Sequence, residues 1–250
     1  MIDNVKQYIS YYVTLDLPVD YKGLKIYPIT VRDYYDFAIC ADVLNIDKDS
    51  IQDLDVITMN YLDFLVFYCI KNSDANNSQF FYEKLISILT LCLKPNKIQI
   101  GISENQHAVI LCDDIEINAQ DFDDIRKIIM YQNYVEYDDT YVNPDIKAAY
   151  DEYWRVKNKD IIMPNLEERM ADTTAMTGLC KKDILDMTYR EFEMVFNAAR
   201  EKLEYQINKT GEMSGMVKFK NPIEHWIFKR KKSKYEGVFT DYGEFKKKII

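Results

Sequence analysis

The stretch "NKIQIGISENQHAVILCDDIEINAQDFDDIRKIIMYQN", residues 96–133, carries two periodicities and decides the fold class. Its first part alternates apolar and polar residues, which predicts a β-hairpin turning at Glu104 to Gln106 and a third strand at 115–117. Asn118 then stands where it can cap a helix, and the aspartates that follow suit the positive end of a helix dipole. The change of period therefore predicts an α+β fold, with this central β-hairpin packed on helices.

A second β-hairpin is predicted near the N-terminus. The segment "YISYYVTLDL" (8–17) alternates with period two, and "LKIYPI" (24–29) follows after a loop that contains proline and glycine. Thr30, with Asp33 three residues later, then resembles a capping box and predicts that a helix starts here.

Two strongly apolar segments, 55–72 and 79–93, predict an antiparallel helical hairpin. Residues 56–70 are apolar at 12 of 15 positions. A membrane span needs about 20 such residues, and Asn60 and Asp63 interrupt this run. We therefore interpret it as a buried core helix and expect no contact with a membrane.

The second half of the chain predicts a predominantly helical fold. Helices are expected over about 144–157, 164–178 and 189–208, and the last begins at a capping box formed by Thr188 and Glu191. The apolar stripe of this longest helix consists of Phe192, Val195, Phe196, Ala199, Leu203 and Ile207.

The polar stretch at 133–144 gives the domain prediction. We expect a mixed α/β domain over 1–135, a helical domain over 136–213 and an extended basic, aromatic docking segment over 214–250. Proline and glycine do not accumulate at the boundary, so the first two domains are expected to pack together.

Enzyme motifs are scarce in this sequence of 250 residues. It contains no G-x-S-x-G, no H-E-x-x-H, no P-loop and no G-x-G-x-x-G. Its five cysteines never form C-x-x-C, which favours buried thiols in a reducing compartment. The N-terminus does not resemble a signal peptide. We expect a cytoplasmic protein without catalytic residues, metal or cofactor.

Acidic pairs leave an enzymatic alternative open. Paired carboxylates usually form solvated surfaces, but a carboxylate site can also assemble from residues remote in sequence. The two histidines are far apart, and His107 is expected to be solvated or hydrogen-bonded at the hairpin edge. The carboxylate pairs are Asp113 and Asp114, Asp123 and Asp124, Asp138 and Asp139, and Glu167 and Glu168.

The C-terminal region has the opposite charge to the rest of the chain. Residues 218–248 hold ten Lys or Arg against four acids, a charge of +6, which leaves −15 for the remainder of a chain whose net charge is −9. Interleaved aromatic residues could stack on nucleic-acid bases, but Arg230 is the one arginine there, and base reading favours arginine.

We favour docking onto a protein, or packing against the chain's own acidic surface, with Trp226 as the anchor. The twenty tyrosines of the chain also suit an interface. The candidate partner-binding residues are Met216, Lys218, Phe219, Lys220, His225, Trp226, Phe228, Lys229, Arg230, Lys231 and Lys232.

Five blocks of the sequence resemble a family of phage tail proteins from Gram-positive hosts. They are "LKIYPITVRDYYDF" (24–37), "ITMNYLDFL" (57–65), "FDDIRKIIMYQN" (122–133), "LDMTYREFEMVF" (185–196) and "SGMVKFKNPIEHWIF" (214–228). The blocks span most of the chain in order. In architecture the first half also resembles baseplate hub assembly proteins of T-even-type phages and tail assembly chaperones.

The resemblance implies a non-enzymatic protein that acts through protein–protein contacts in tail assembly, as a chaperone for the hub or the tape measure. A permanent structural part of the virion tail or baseplate is the alternative that it leaves open. Its expected partners are other tail or baseplate proteins, the tape-measure protein among them, and a second copy of the chain. The resemblance carries no catalytic residues.

Overall fold

The structure, a computed structural model, describes residues 9–48, 51, 53–71, 75–135, 144–159, 162–215, 217–219 and 223–227. Within them the fold is α+β and dominated by helices, with two small antiparallel sheets, which confirms the predicted class. The predicted basic tail after residue 227 lies outside the described residues.

Residues group by contact into two compact units. The first contains residues 1–139 together with 179–195, and the second contains 140–178 and 196–250. The three sequence segments predicted above were defined by composition and stay a prediction.

The first helix, α1, covers residues 9–14, so the strand predicted at 8–17 is wrong. Ile9 and Val13 are buried four residues apart, whereas Tyr11 and Leu15 are exposed. Apolar residues are so dense here that they satisfy the helical period as well as the strand period. Burial at i and i+4 decides for the helix.

The N-terminal hairpin lies further along the chain than predicted, between β1 (Val19–Tyr21) and β2 (Leu24–Ile26). Lys22 and Gly23 form its two-residue turn, with φ of 53° and 86°. Two successive positive φ values match the twist of antiparallel strands, and Gly23 adopts its positive φ without strain.

A short 3-10 turn (Val31–Asp33) leads into α2 (Tyr34–Cys40), as the capping pair predicts. The Thr30 hydroxyl donates to Oδ2 of Asp33 at 2.9 Å. A further 3-10 turn, Ala41–Leu44, ends this segment.

The first apolar segment is not one helix. α3 (Leu54–Thr58) stops where Met59 and Asn60 are extended, and α4 (Tyr61–Asp63) then continues as a π-helix over Phe64–Ile70. α5 (Ala75–Leu93) packs against this π-helix, which confirms the helical hairpin.

The central sheet follows the prediction closely. β3 (Ile98–Ile102), β4 (Ala108–Cys112) and β5 (Ile115–Asn118) pair antiparallel in the order β3-β4-β5. Asn118 caps α6 (Ala119–Gln132) by accepting a hydrogen bond from the backbone N–H of Asp121 at 2.8 Å. The apolar face of α6 is buried in the core of the first unit.

Residues from the second half of the sequence complete the first unit. α9 (Lys181–Asp186), which the sequence did not predict, leads to α10 (Tyr189–Met213). Between them Thr188 pairs with Thr30 in a β-bridge, and the Tyr189 N–H donates to the carbonyl of Ile29 at 2.9 Å.

The second unit contains α7 (Pro144–Lys157), α8 (Leu166–Thr177) and the C-terminal part of α10. α8 starts two residues after the predicted position, at a capping box of Asn165 and Glu168, and ends as predicted at Gly178, whose φ is 79°.

Candidate functional site

The apolar stripe of α10 is buried at its start and exposed at its end. Phe192 and Phe196 are 0% and 7% exposed, whereas Leu203 and Ile207 are 45% and 63% exposed. We call Ala199, Leu203 and Ile207 the α10 stripe. A core helix would keep such a stripe covered along its length, so this end of α10 presents an apolar surface to solvent.

The chain after α10 returns along the same helix. The His225 ring lies 4.9 Å from the Tyr205 ring, and the Trp226 ring lies 5.9 Å from that of His225 in a stacked arrangement. These centroid distances are typical of interacting aromatic pairs. Gly211 lies within van der Waals reach of Val217, since a Cβ built on it would be 4.0 Å from that side chain.

The His225 ring and the α10 stripe occupy different faces of the helix, whereas Val217 lies beside Gly211, four residues after Ile207. At 3.6 residues per turn, Tyr205 is roughly 160° away from Leu203 around the helix axis. His225 therefore covers a face nearly opposite the stripe. The stripe keeps the exposure given above even though the chain folds back beside it.

The predicted partner-binding residues are described only in part. Lys218 and His225 are exposed, Phe219 is 39% exposed and Trp226 is half-buried. The structure brings His225 and Trp226 together. The other predicted residues, Met216, Lys220, Phe228, Lys229, Arg230, Lys231 and Lys232, lie outside the described residues.

In three of the acidic pairs at least one carboxylate accepts a hydrogen bond that holds the fold together. Oδ1 of Asp113 accepts hydrogen bonds from the backbone N–H groups of Asn96 and Lys97 at 3.0 and 2.9 Å. Oδ2 of Asp124 accepts from the Tyr21 hydroxyl at 2.8 Å. Glu168 belongs to the cap of α8 described above. Asp138 and Asp139 lie outside the described residues.

A buried polar cluster surrounds the start of α4. The Tyr61 hydroxyl donates to the carbonyl of Val43 at 3.0 Å and accepts from the Ile46 N–H at 2.7 Å. The Arg126 guanidinium lies 3.8 Å from the centre of the Tyr61 ring, and its Nε donates to the Leu44 carbonyl. These contacts satisfy polar groups that would otherwise be buried without partners.

Asp123 belongs to the same cluster. Its Oδ1 accepts from the Tyr61 N–H at 3.0 Å, and burial raises the pKa of its carboxyl, although that hydrogen bond and nearby cations oppose the rise. Burial likewise raises the pKa of the Tyr61 hydroxyl. The arrangement ties α4 to α6 and to the turn before α3.

Asp63 and His107 form a second polar pair beside the π-helix. Asp63 is 6% exposed, and its Oδ1 accepts from the Ala108 N–H at 2.7 Å. The side chain of His107 is 61% exposed and contacts the other oxygen of Asp63. This confirms the hydrogen-bonded histidine expected at the hairpin edge.

Within the residues that the structure describes, no cluster of three or more His, Cys, Asp or Glu side chains is arranged to hold a metal ion. In the same part of the chain, no helix has both the length and the apolar character needed to cross a bilayer.

Comparison with protein-family models, with curated proteins and with solved structures gave no match. The resemblance to phage tail proteins therefore stays a prediction, and function is inferred from the residues of this chain.

The sequence predicted the apolar stripe of α10 but not which part of it would be exposed. The signal that distinguishes the exposed end is the polarity of the neighbouring positions. Around Leu203 and Ile207 the helix reads "REKLEYQINKTGE" (200–212), with charged or amide residues at most other places. Such a short apolar stripe in polar surroundings is typical of a helix that meets a partner along one line.

Proposed function

We propose that this protein is a non-enzymatic assembly factor for a bacteriophage tail or baseplate, and that it acts by binding another polypeptide. The observation that carries this proposal is the α10 stripe, which leaves the core with Leu203 and Ile207 exposed. Exposure of large apolar side chains on one helix face is unfavourable in water, and covering them with a partner lowers the free energy of the system.

Residues 223–227, in the returning segment, offer a second surface, because His225 lies on a face of α10 nearly opposite the stripe. Trp226 is half-buried and stacks on His225, so its ring is held in place before any partner arrives. A positioned aromatic side chain loses little conformational entropy on binding, which is why tryptophan is frequent among residues that dominate interface energies.

The phage assignment is supported by the five sequence blocks, two of which fall in this region. Block 185–196 contains the start of α10, and block 214–228 contains the returning segment. A hub or tape-measure protein, whose apolar helices need cover before assembly, is the partner that this proposal favours.

Capture of partners from phage-infected cells tests the proposal. Tagged full-length protein should retain a tail or baseplate protein, and Trp226→Ala should reduce the amount retained while Trp226→Phe preserves most of it. Circular dichroism of both variants checks that the helices remain. Capture of no tail protein, or equal capture by all three proteins, would contradict the proposal.

Purified virions separate an assembly factor from a structural component. An assembly factor should be absent from virions by mass spectrometry, whereas a component should be present at fixed stoichiometry. A nucleic-acid binder would instead bind DNA at low salt and lose affinity steeply as salt rises, because phosphate contacts release counterions.

A further inference from the structure

We propose that the α10 stripe binds an acidic amphipathic helix of the partner protein. This inference rests on the proposed function and specifies the chemistry of what binds. It follows from three features of α10: the spacing of the stripe, its exposure and the charges on either side of it.

The spacing of the stripe fits a helix. Ala199, Leu203 and Ile207 follow each other at intervals of four residues, which places them in one row inclined only slightly to the helix axis. The row extends over about 12 Å at 1.5 Å per residue. Side chains of a second helix pack into such a row with their own residues spaced by three and four.

The border of the stripe is predominantly basic. Arg200 lies roughly 60° from Leu203 on one side, and Lys202 and Lys209 lie roughly 100–120° away on the other. Glu204 lies roughly 100° from Leu203, on the same side as Arg200. Between Phe196 and Met213 it is the one acid of α10 that lies within about 120° of Leu203. Arg200, Lys202 and Glu204 are exposed.

One of these basic residues, Lys209, is paired with an acid. Nζ of Lys209 lies 2.6 Å from Oε2 of Glu212, so Arg200 and Lys202 contribute most to the sign of the border. The sign is the reverse of the chain's net charge of −9. A partner helix with acidic residues beside its apolar row would be attracted to this border.

The same charges disfavour two other occupants. A second copy facing the stripe would bring its own Arg200 and Lys202 into the same seam, where like charges repel. Residues 228–250 carry eight Lys or Arg against three acids, so this segment has the same sign as the border.

Two synthetic peptides of about four helical turns test the inference. Both have leucine at the apolar positions, and the flanking positions are glutamate in one and lysine in the other. Fluorescence anisotropy with the full-length protein should show that the glutamate peptide binds about tenfold more tightly than the lysine peptide at low salt. The difference should shrink as salt rises.

Variants of the protein locate the binding surface. Ile207→Asp should abolish binding of the glutamate peptide. Val156→Asp is the matched control, because Val156 is also β-branched and helical and is 64% exposed against 63% for Ile207. The double variant Arg200→Glu, Lys202→Glu leaves the stripe intact and should reverse the preference between the peptides.

Several outcomes would overturn the inference. They are equal binding of the two peptides, no binding of either, loss of binding in Val156→Asp as well, or a dimer in sedimentation that Ile207→Asp dissociates. If Ile207→Asp loses helix by circular dichroism, the charge-reversal variant still decides. Capture of tail proteins without any peptide preference would refute this inference alone, whereas peptide preference without capture would refute the proposed function alone.

Discussion

Nδ1 of His107 lies 2.8 Å from Oδ2 of Asp63, joining the β-hairpin to the start of the π-helix 44 residues earlier in the sequence. The two partners differ sharply in exposure, since the carboxylate is buried and the imidazole is mostly in solvent. The aspartate is therefore the member that the fold depends on.

Replacing Asp63 should destabilise the protein much more than replacing His107. Asp63→Ala leaves the buried N–H of Ala108 without its acceptor, at a cost of about 1–3 kcal/mol. His107→Ala removes a group that water can replace, so we expect a change below about 1 kcal/mol. Urea denaturation of both variants measures the difference, and equal losses would contradict this assignment. Asp63→Asn, which keeps an acceptor for Ala108, should lie between them.

The stability of the protein should contain a falling contribution from Asp123 as pH rises. An acid whose pKa is raised by folding binds more protons in the folded state, so stability declines between the unfolded pKa, about 3.9, and the higher folded value. Asp123→Asn keeps an oxygen for the Tyr61 N–H and removes this contribution.

The Asp123→Asn protein should therefore be at least as stable as the wild type at pH 7 and should not show that decline. Denaturation midpoints between pH 3 and pH 7 test this prediction. Glu116→Gln, at an exposed position of β5, controls for the loss of one negative charge. If the variant were less stable than the wild type at pH 7 and equal to it in acid, folding would lower the pKa of Asp123, and the prediction would be wrong.

The hydroxyl of Tyr61 should contribute measurably to stability. Tyr61→Phe removes both of its hydrogen bonds and leaves the Val43 carbonyl and the Ile46 N–H to be satisfied otherwise, which costs about 1–3 kcal/mol. For a chain of this size, each kcal/mol lowers Tm by about 2–4 °C. Tyr35→Phe, on a tyrosine that is 58% exposed, should leave Tm unchanged.

One cysteine should react in the native protein. Cys40, Cys69, Cys92 and Cys112 are buried and Cys180 is exposed. Burial raises the pKa of Cys69 to about 11 and that of Cys92 to about 12, which keeps both as unreactive thiols at neutral pH. Mass spectrometry after iodoacetamide should find one adduct on the wild type and none on Cys180→Ser. Five adducts should appear in denaturant, and a second native adduct would place another thiol in solvent.

The hydroxyl of Thr188 should stabilise the start of α10 as a helix cap, which substitutions that keep or remove the hydroxyl can test. This hydroxyl accepts from the Glu191 N–H at 3.1 Å and donates to Oδ1 of Asp16 at 2.7 Å. Thr188→Ala should cost about 1 kcal/mol, while Thr188→Ser should retain most of that stability. Thermal unfolding of both variants distinguishes the lost hydroxyl from the lost methyl group, and equal losses would rule out capping.

Local signals in the sequence predicted much of the fold. The caps at Asn118 and Thr188, the αL glycine at Gly178 and the three strands of the central sheet all lie at or near their predicted positions. Each depends on hydrogen bonds between residues close in sequence, which is why residue type and spacing suffice.

The remaining features depend on long-range contacts. Segment 9–14 fits both periods, and its choice of helix is made by the burial of Ile9 and Val13. The break at Met59 and the π-helix after it accompany the contacts of Tyr61 and Asp63 with residues far along the chain. The residue pattern of a single segment carries no information about these long-range contacts.

The sequence predicted which residues belong to the candidate site but not how they are placed or how far they are exposed. The sequence marks Trp226 and the stripe residues, yet the periodicity of α10 is the same where it is buried and where it is exposed. Burial depends on what lies opposite a residue, and that partner is remote in sequence or belongs to another molecule.

The bridge between Thr30 and Thr188 has a consequence for biosynthesis. The backbone beside Ile29 obtains its partners from residues that leave the ribosome more than 150 positions later. A nascent chain halted near residue 139 therefore lacks these backbone partners, and the first unit is complete only after residue 189 has been translated.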